Sequence, residues 1–363
     1  MKIAILTGGG DCPGLNAVIR AVTKKAILDH NAQIIGIEDG FEGLIHNRHR
    51  KLDYEQVSGI LTLGGTILGT SNIANPYKYP VKQGKKIVFK DLSTQVIQNL
   101  KKLGIDSLIC VGGDGTLSIA YKFYQKGIPV VGIPKTIDND IRGTDVSFGF
   151  DTAVHIATEG IDRVHTTAQS HHRVMIVEVM GRHAGWIALH AGVAGGGDII
   201  LIPEIPYDIN IIAKLVKSRH KKGKRFSIIV IAEGAKPSGG DITVKKTVKD
   251  SVEPIRLGGV GFVLGNQLEQ ITGIETRTVV MGHLQRGGTP TSFDRILGTE
   301  LGSKAIDLIK SKKFGHMVGL QMNSFVPVPL ETVAQGARLV PLDHSLIKSA
   351  CSVGTCFGNG LKS

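Results

Sequence analysis

A chain of 363 residues, 42% hydrophobic and 20% charged, is long for one hydrophobic core and favours two α/β lobes sharing a cleft. The formal charge of +12 raises nucleic acid or an anionic membrane as partner. However, 5% aromatic residues leave few rings for base stacking, and no apolar run approaches the roughly 18 residues of a membrane span.

In chain order, a β-branched run at 2–6 feeds the turn Gly8, Gly9, Gly10, Asp11, Cys12, Pro13, Gly14, and a helical pattern follows at 17–28. A glycine turn that ends a strand and opens a helix offers unpaired N–H groups to an anion. It is neither the P-loop nor the dinucleotide pattern, and the alternative is a plain chain reversal. The syntax repeats at 107–111, followed by Gly112, Gly113, Asp114, Gly115 and Thr116 and a helix to 125. Here one carboxylate stands among residues without side chains, so phosphates and a magnesium ion held by Asp114 can approach the backbone.

An apolar strand at 129–133 then delivers Pro134, Lys135, Thr136, Ile137, Asp138, Asn139 and Asp140. Phosphoryl transfer needs a base, charge neutralisation and alignment, and this cluster supplies the residue types: Asp138 as base, Lys135 and Thr136 on the moving group, Asp140 beside them. On spacing alone the cluster is equally a set of helix-capping carboxylates.

A helix over 146–165 enters the second lobe, strands follow at 174–179, 199–202 and 228–232, and a helix over 293–308 returns. The expected fold is therefore α/β, two Rossmann-like doubly wound lobes with mostly parallel sheets and the site in the cleft between them. We expect a discontinuous nucleotide lobe, 1–149 plus 289–363, and a sugar-phosphate lobe, 150–288. The basic stretch Lys217, Arg219, Lys221, Lys222, Lys224, Arg225 reads as a solvated helix end and turn, with an effector-phosphate site as the alternative. Cys12, Cys110, Cys351 and Cys356, without a secretory leader pattern, indicate reduced thiols and a cytoplasmic location. The last ten or so residues, rich in Gly and Ser, are expected to be poorly ordered.

Residues 112–116, 134–140, 180–185 and 282–290, in this order, resemble the phosphofructokinase family. The resemblance implies a Mg²⁺-dependent kinase that moves the γ-phosphoryl of ATP to the 1-hydroxyl of fructose 6-phosphate. It also implies a homo-oligomer, a tetramer or else a dimer, whose neighbouring subunits complete the substrate site. Carried over, it gives fructose 6-phosphate to Thr136, Ile137, Asp138, Met180, Gly181, Arg182, Glu233, His283, Leu284, Gln285 and Arg286, with Arg173 and Arg277 reaching a neighbour's site. Arg182 would stabilise the transition state. ATP falls to Gly10, Asn72, Ile73, Gly113, Asp114, Gly115 and Thr116, with Phe41 near the adenine.

The sequence departs from the family pattern at Asn72, where well-known bacterial ATP enzymes carry a phosphate-bridging arginine, and at Lys135, where they carry glycine. Lys135 accompanies pyrophosphate use in the family, whereas Gly115 leaves room for a nucleotide; ATP is the expected donor and pyrophosphate the alternative. Of the family's basic effector pocket, Arg20, Lys24, Lys222, Lys224 and Arg225 remain, while Tyr54 and His165 replace two arginines, so weak or different regulation is expected. A lipid or NAD kinase has no use for the 180–185 and 282–286 segments, and a silent sugar-phosphate sensor has no use for Asp114, Asp138 and Arg182.

Overall fold

The computed structural model describes residues 1–84, 86–247 and 255–360. Walking along the chain, β1 (Lys2–Thr7), α1 (Leu15–His30), β2 (Gln33–Ile37), α2 (Phe41–His46), β3 (His49–Leu52), the hairpin β4 (Tyr79–Gln83) and β5 (Lys86–Lys90), α3 (Ser93–Lys102), β6 (Ser107–Gly112), α4 (Asp114–Gln125) and β7 (Val130–Pro134) come first. Next are α5 (Phe150–His171), β8 (Val174–Val179), α6 (Trp186–Ala194), β9 (Ile199–Leu201), α7 (Ile209–Lys221), β10 (Ser227–Ala232), the short β11 (Val244–Thr247) and β12 (Ile255–Leu257), α8 (Val260–Thr272) and β13 (Thr276–Val280). Last come α9 (Ser292–Lys310), β14 (His316–Gln321), β15 (Ser324–Pro329) and α10 (Ser345–Ser352).

Two sheets organise these elements. The larger runs β15-β14-β7-β6-β1-β2-β3, parallel from β14 through β2 and closed by an antiparallel strand at each edge. The smaller runs β13-β8-β10-β9, all parallel. Strands β6, β7, β8 and β10 are buried at every position, as expected for parallel strands covered by helices on both faces. Because β1, β6 and β7 are parallel, the loops after them lie at one edge, and strand order reverses between β1 and β6, where ligands of such sheets bind.

Two local expectations need correction. The helix read from 146 starts at Phe150, because Gly149 adopts φ 94° and Phe148 bridges to Lys135. Asp294 of α9 fixes this start: its carboxylate accepts from the Gly149 N–H at 2.9 Å and from Thr152 N and Oγ1 at 2.8 and 2.6 Å. The C-terminal segment is also ordered as far as residue 360: Cys356 bridges to Ile199, and Phe357 is buried. The rest of the expected tail, 361–363, lies outside the described residues. The basic stretch does close α7 and the turn after it, with Arg219 paired to Asp198 at 2.7 Å.

Candidate active site

Three strand ends of the larger sheet converge. The turn after β1, the turn after β6 and the loop after β7 are joined by Lys135, whose Nζ donates to the Gly10 carbonyl while its own N–H donates to Gly112 O at 2.9 Å. Lys135 is 3% exposed, and burial pushes its amine below the usual lysine range, with Cys12, Asp11 and Asp138 opposing that push. Arg286 comes from the short turn after β13 and lies against the same glycine turn, donating from Nη1 to the Asp11 carbonyl at 3.1 Å. A Cβ at position 10 would stand 2.8 Å from the guanidinium and would push the Arg286 head group away from this place. The sequence places Arg286 with the sugar phosphate; its head group also faces the glycine turn after β1.

Asp138 is half-buried, its N–H bonded to Thr136 Oγ1 at 3.1 Å, and its Oδ1 is buried without a protein hydrogen-bond partner. Burial raises its proton affinity; Arg286, Lys135 and His183 hold it down, and Asp114 adds to the rise. Asp140 is pushed up to about 7 by burial and by Asp138 and Asp114. Glu233, at the end of β10, is likewise pushed up to about 7 by burial and Asp138, with Arg286 and Arg182 opposing. These mutual influences mark the carboxylates of Asp114, Asp138, Asp140 and Glu233 as one electrostatic cluster, with Arg286 as the leading cation acting on Asp138.

On the donor side Asp114 and Gly115 are exposed at the start of α4, and Thr116 is buried beneath the two glycine turns. Asn72 and Ile73 are exposed beside them, and Ser71 O accepts from the Gly9 N–H. Phe41, expected near the adenine, is 3% exposed and packs 6.0 Å from Phe123, so its ring belongs to the core of this lobe. On the sugar side, the loop after β8 carries Met180, Gly181 and Arg182, and Glu233 N donates to Val179 O at 2.9 Å. His283 and Leu284 are exposed. Gln285 is 0% exposed, with Nε2 on Gly282 O at 3.1 Å and its Oε1 buried without a protein hydrogen-bond partner. Ile137 is also fully buried, which leaves only its backbone for a ligand.

Arg173 and Arg277 are not brought to this site. Both grip Glu275, Arg173 through Nε at 2.7 Å, at the opposite ends of β8 and β13 from the Arg182 and Arg286 loops. Seven steps along β8 at about 3.3 Å each separate Arg173 from Met180 by roughly 23 Å. Of the expected effector residues, Lys24 lies 3.7 Å over the Tyr54 ring, a cation–π pair that occupies its ammonium. Sequence reasoning missed Arg338, which donates to the Asn139 carbonyl inside the Asp138 loop from nearly 200 residues away; nothing local to either segment signals it.

A family model described as phosphofructokinase matches residues 2–309. The chain belongs to the phosphofructokinase family. Within it, a relative from Clostridium perfringens named ATP-dependent 6-phosphofructokinase 2 is 54% identical over 360 residues, covering 99% of this chain and 98% of its own. Another, from Streptomyces coelicolor, named pyrophosphate–fructose 6-phosphate 1-phosphotransferase, is 48% identical over 359 residues, covering 99% and 100%. A solved phosphofructokinase, that of Pichia pastoris in the T-state, superposes with TM-score 0.78 at 32% identity over 92% of this chain. The match takes in 35% of the yeast chain, so the present chain spans about a third of it. The phosphofructokinase fold and the two-sheet α/β architecture thus agree.

Proposed function

We propose that this chain transfers the γ-phosphoryl group of ATP to the 1-hydroxyl of fructose 6-phosphate, with Asp138 as the base. One observation carries the reading: Asp138 Oδ1 is buried and unpartnered by protein, at the meeting of two glycine turns, under the influence of Arg286 and Lys135. Burial raises the carboxylate's affinity for the proton that the attacking hydroxyl gives up, and the two cations oppose that rise. Lys135 and Arg286, anchored on the Gly10–Asp11 turn, neutralise charge on the transferring group. Thr136 holds the Asp138 backbone, and Arg182 with Glu233 orients the sugar from the facing loop.

Asp114 is the residue that would hold Mg²⁺. Among the described residues no cluster of three or more His, Cys, Asp or Glu could cage a metal, and a single exposed carboxylate at a phosphate-binding turn fits an ion that keeps phosphate oxygens and water as its other ligands. When bound, the ion neutralises the donor's phosphate charge.

Gly115 supports ATP. No protein atom lies within 4 Å of where its Cβ would be, and its φ is not in the left-handed region, so neither packing nor backbone requires glycine here. The open space suits a nucleotide's inner phosphates, in line with the name of the Clostridium relative. Lys135 favours pyrophosphate as a second reading, in line with the Streptomyces relative's name. Assaying the purified protein with each donor decides: turnover with ATP supports the proposal, and turnover with pyrophosphate alone overturns it.

Arg173 and Arg277 reach the sugar 6-phosphate of a neighbouring subunit, because both are paired with Glu275 at the far ends of their strands, with roughly 23 Å of strand between Arg173 and Met180. The working assembly is then a homo-oligomer, a tetramer in preference to a dimer. A cytoplasmic location accords with the four unpaired cysteines. No helix among the described residues is long and apolar enough to cross a membrane.

A further inference from the structure

We infer that Arg338 is a positioning residue for the phosphoryl-transfer site, fixing the Asp138 loop against the sugar-phosphate loop from a segment that touches neither substrate. Asn139 separates Asp138 from Asp140 and sits in the left-handed region at φ 53°, a conformation that a non-glycine residue keeps only when its surroundings hold it. Its side chain does part of the holding, accepting the Ser147 N–H at 3.0 Å. Its carbonyl is held by Arg338, through Nε at 3.2 Å and Nη2 at 2.8 Å. Nη2 also reaches the Asp145 carbonyl at 2.8 Å, and the Arg338 N–H donates to the Asp140 carbonyl at 2.7 Å. Three carbonyls of one loop therefore converge on one residue.

The other side of Arg338 faces the sugar lobe. Its guanidinium lies 4.4 Å over the Trp186 ring, and its carbonyl accepts from Trp186 Nε1 at 2.9 Å. Trp186 opens α6 directly after residues 180–185. Two residues on, the Val340 N–H donates to Glu204 Oε1 at 2.8 Å, and that carboxylate also accepts the Gly185 N–H at 3.0 and 3.1 Å. The 338–340 segment is thus a strut between the loop that bears the base and the loop that bears Arg182. A planar, forked head group suits this position because it can stack flat on the indole while its fixed N–H groups reach the two carbonyls, whereas an ammonium has neither the plane nor the fixed fork. Rotating the Asn139 peptide would swing the neighbouring Asp138 and Asp140 carboxylates, so loss of the fork misplaces the base rather than the binding contacts.

The inference rests on Asp138 being the base, and the two claims fail separately: an Asp138→Ser protein that keeps turnover sinks the base, whereas an Arg338 variant with wild-type turnover sinks only the strut. The test is steady-state kinetics of Arg338→Met and Arg338→Lys in the full chain, with emission of Trp186, the single tryptophan, as the packing control. Arg338→Met should lose about 100-fold in kcat with both KM values held within about 3-fold, as expected for a misplacement of around 1 Å, and Arg338→Lys should recover part of it. Trp186 emission should stay that of a buried ring in both. Turnover of Arg338→Met within about 3-fold of wild type overturns the inference. So does an equal loss in both variants with red-shifted Trp186 emission, which would make Arg338 a packing residue.

Discussion

The ammonium of Lys135 donates to the carbonyl of Gly10, tying the loop that carries Asp138 to the glycine turn after β1. In the proposed reaction, Lys135 is thus held at the turn assigned to the phosphoryl donor, as a charge-stabilising group requires. Lys135→Met should reduce kcat by about 100-fold with a smaller change in the KM for fructose 6-phosphate. Initial-rate kinetics check it; a rise in that KM at constant kcat would assign Lys135 to ground-state sugar binding instead.

Arg286 and Asp138 give a pH signature. Burial raises the Asp138 proton affinity, and Arg286 is the strongest influence against it, so removing the guanidinium leaves burial less opposed. The base then keeps its proton to higher pH. The acid limb of kcat/KM, which reports the free enzyme, should move up in pH in Arg286→Met. Asp114 raises Asp138, so Asp114→Asn should move the same limb down. Limbs that coincide across the three proteins would remove Asp138 as the group that titrates.

Gly115 tests the donor. With no protein atom within 4 Å of its missing Cβ, Gly115→Asp should fold normally and yet place a carboxylate against the nucleotide's inner phosphates. We expect kcat/KM for ATP to fall about 100-fold while the KM for fructose 6-phosphate moves less than about 3-fold. Unchanged ATP use would mean that the nucleotide does not pass over residue 115.

Legibility in the sequence followed distance along the chain. Lys135, Asp138 and Asp114 could be read because each stands immediately after an apolar strand, where an open sheet binds ligands, and motif spacing travels with local structure. The same locality gave β1, β6, β7, β8 and β10 to within a residue or so. Side-chain direction was not readable: Gln285 belongs to a matching motif and Phe41 was carried over by resemblance, yet packing turned one inward and gave the other to Phe123. The hairpin of β14 and β15 escaped because its partner is β7, far upstream. Arg338 escaped for the same reason, since its partners Asn139 and Trp186 lie 199 and 152 positions away.

Arg173 provides a test of the assembly. If each site combines Asp138 of one subunit with Arg173 of another, Arg173→Ser and Asp138→Ser proteins should both be impaired alone. Hybrids co-expressed from the two should recover activity, because some of their sites hold both native residues. Activity no higher than the sum of the separate variants would contradict a shared site.

The most direct measurement concerns Asp138 itself. Asp138→Ser keeps a small polar side chain in the pocket but removes the proton acceptor. Turnover with ATP should fall by at least about 1,000-fold, within the range general-base removal covers, while equilibrium binding of fructose 6-phosphate stays within about 3-fold of wild type. Turnover near the wild-type rate with binding intact would show that another group accepts the proton and would contradict the account.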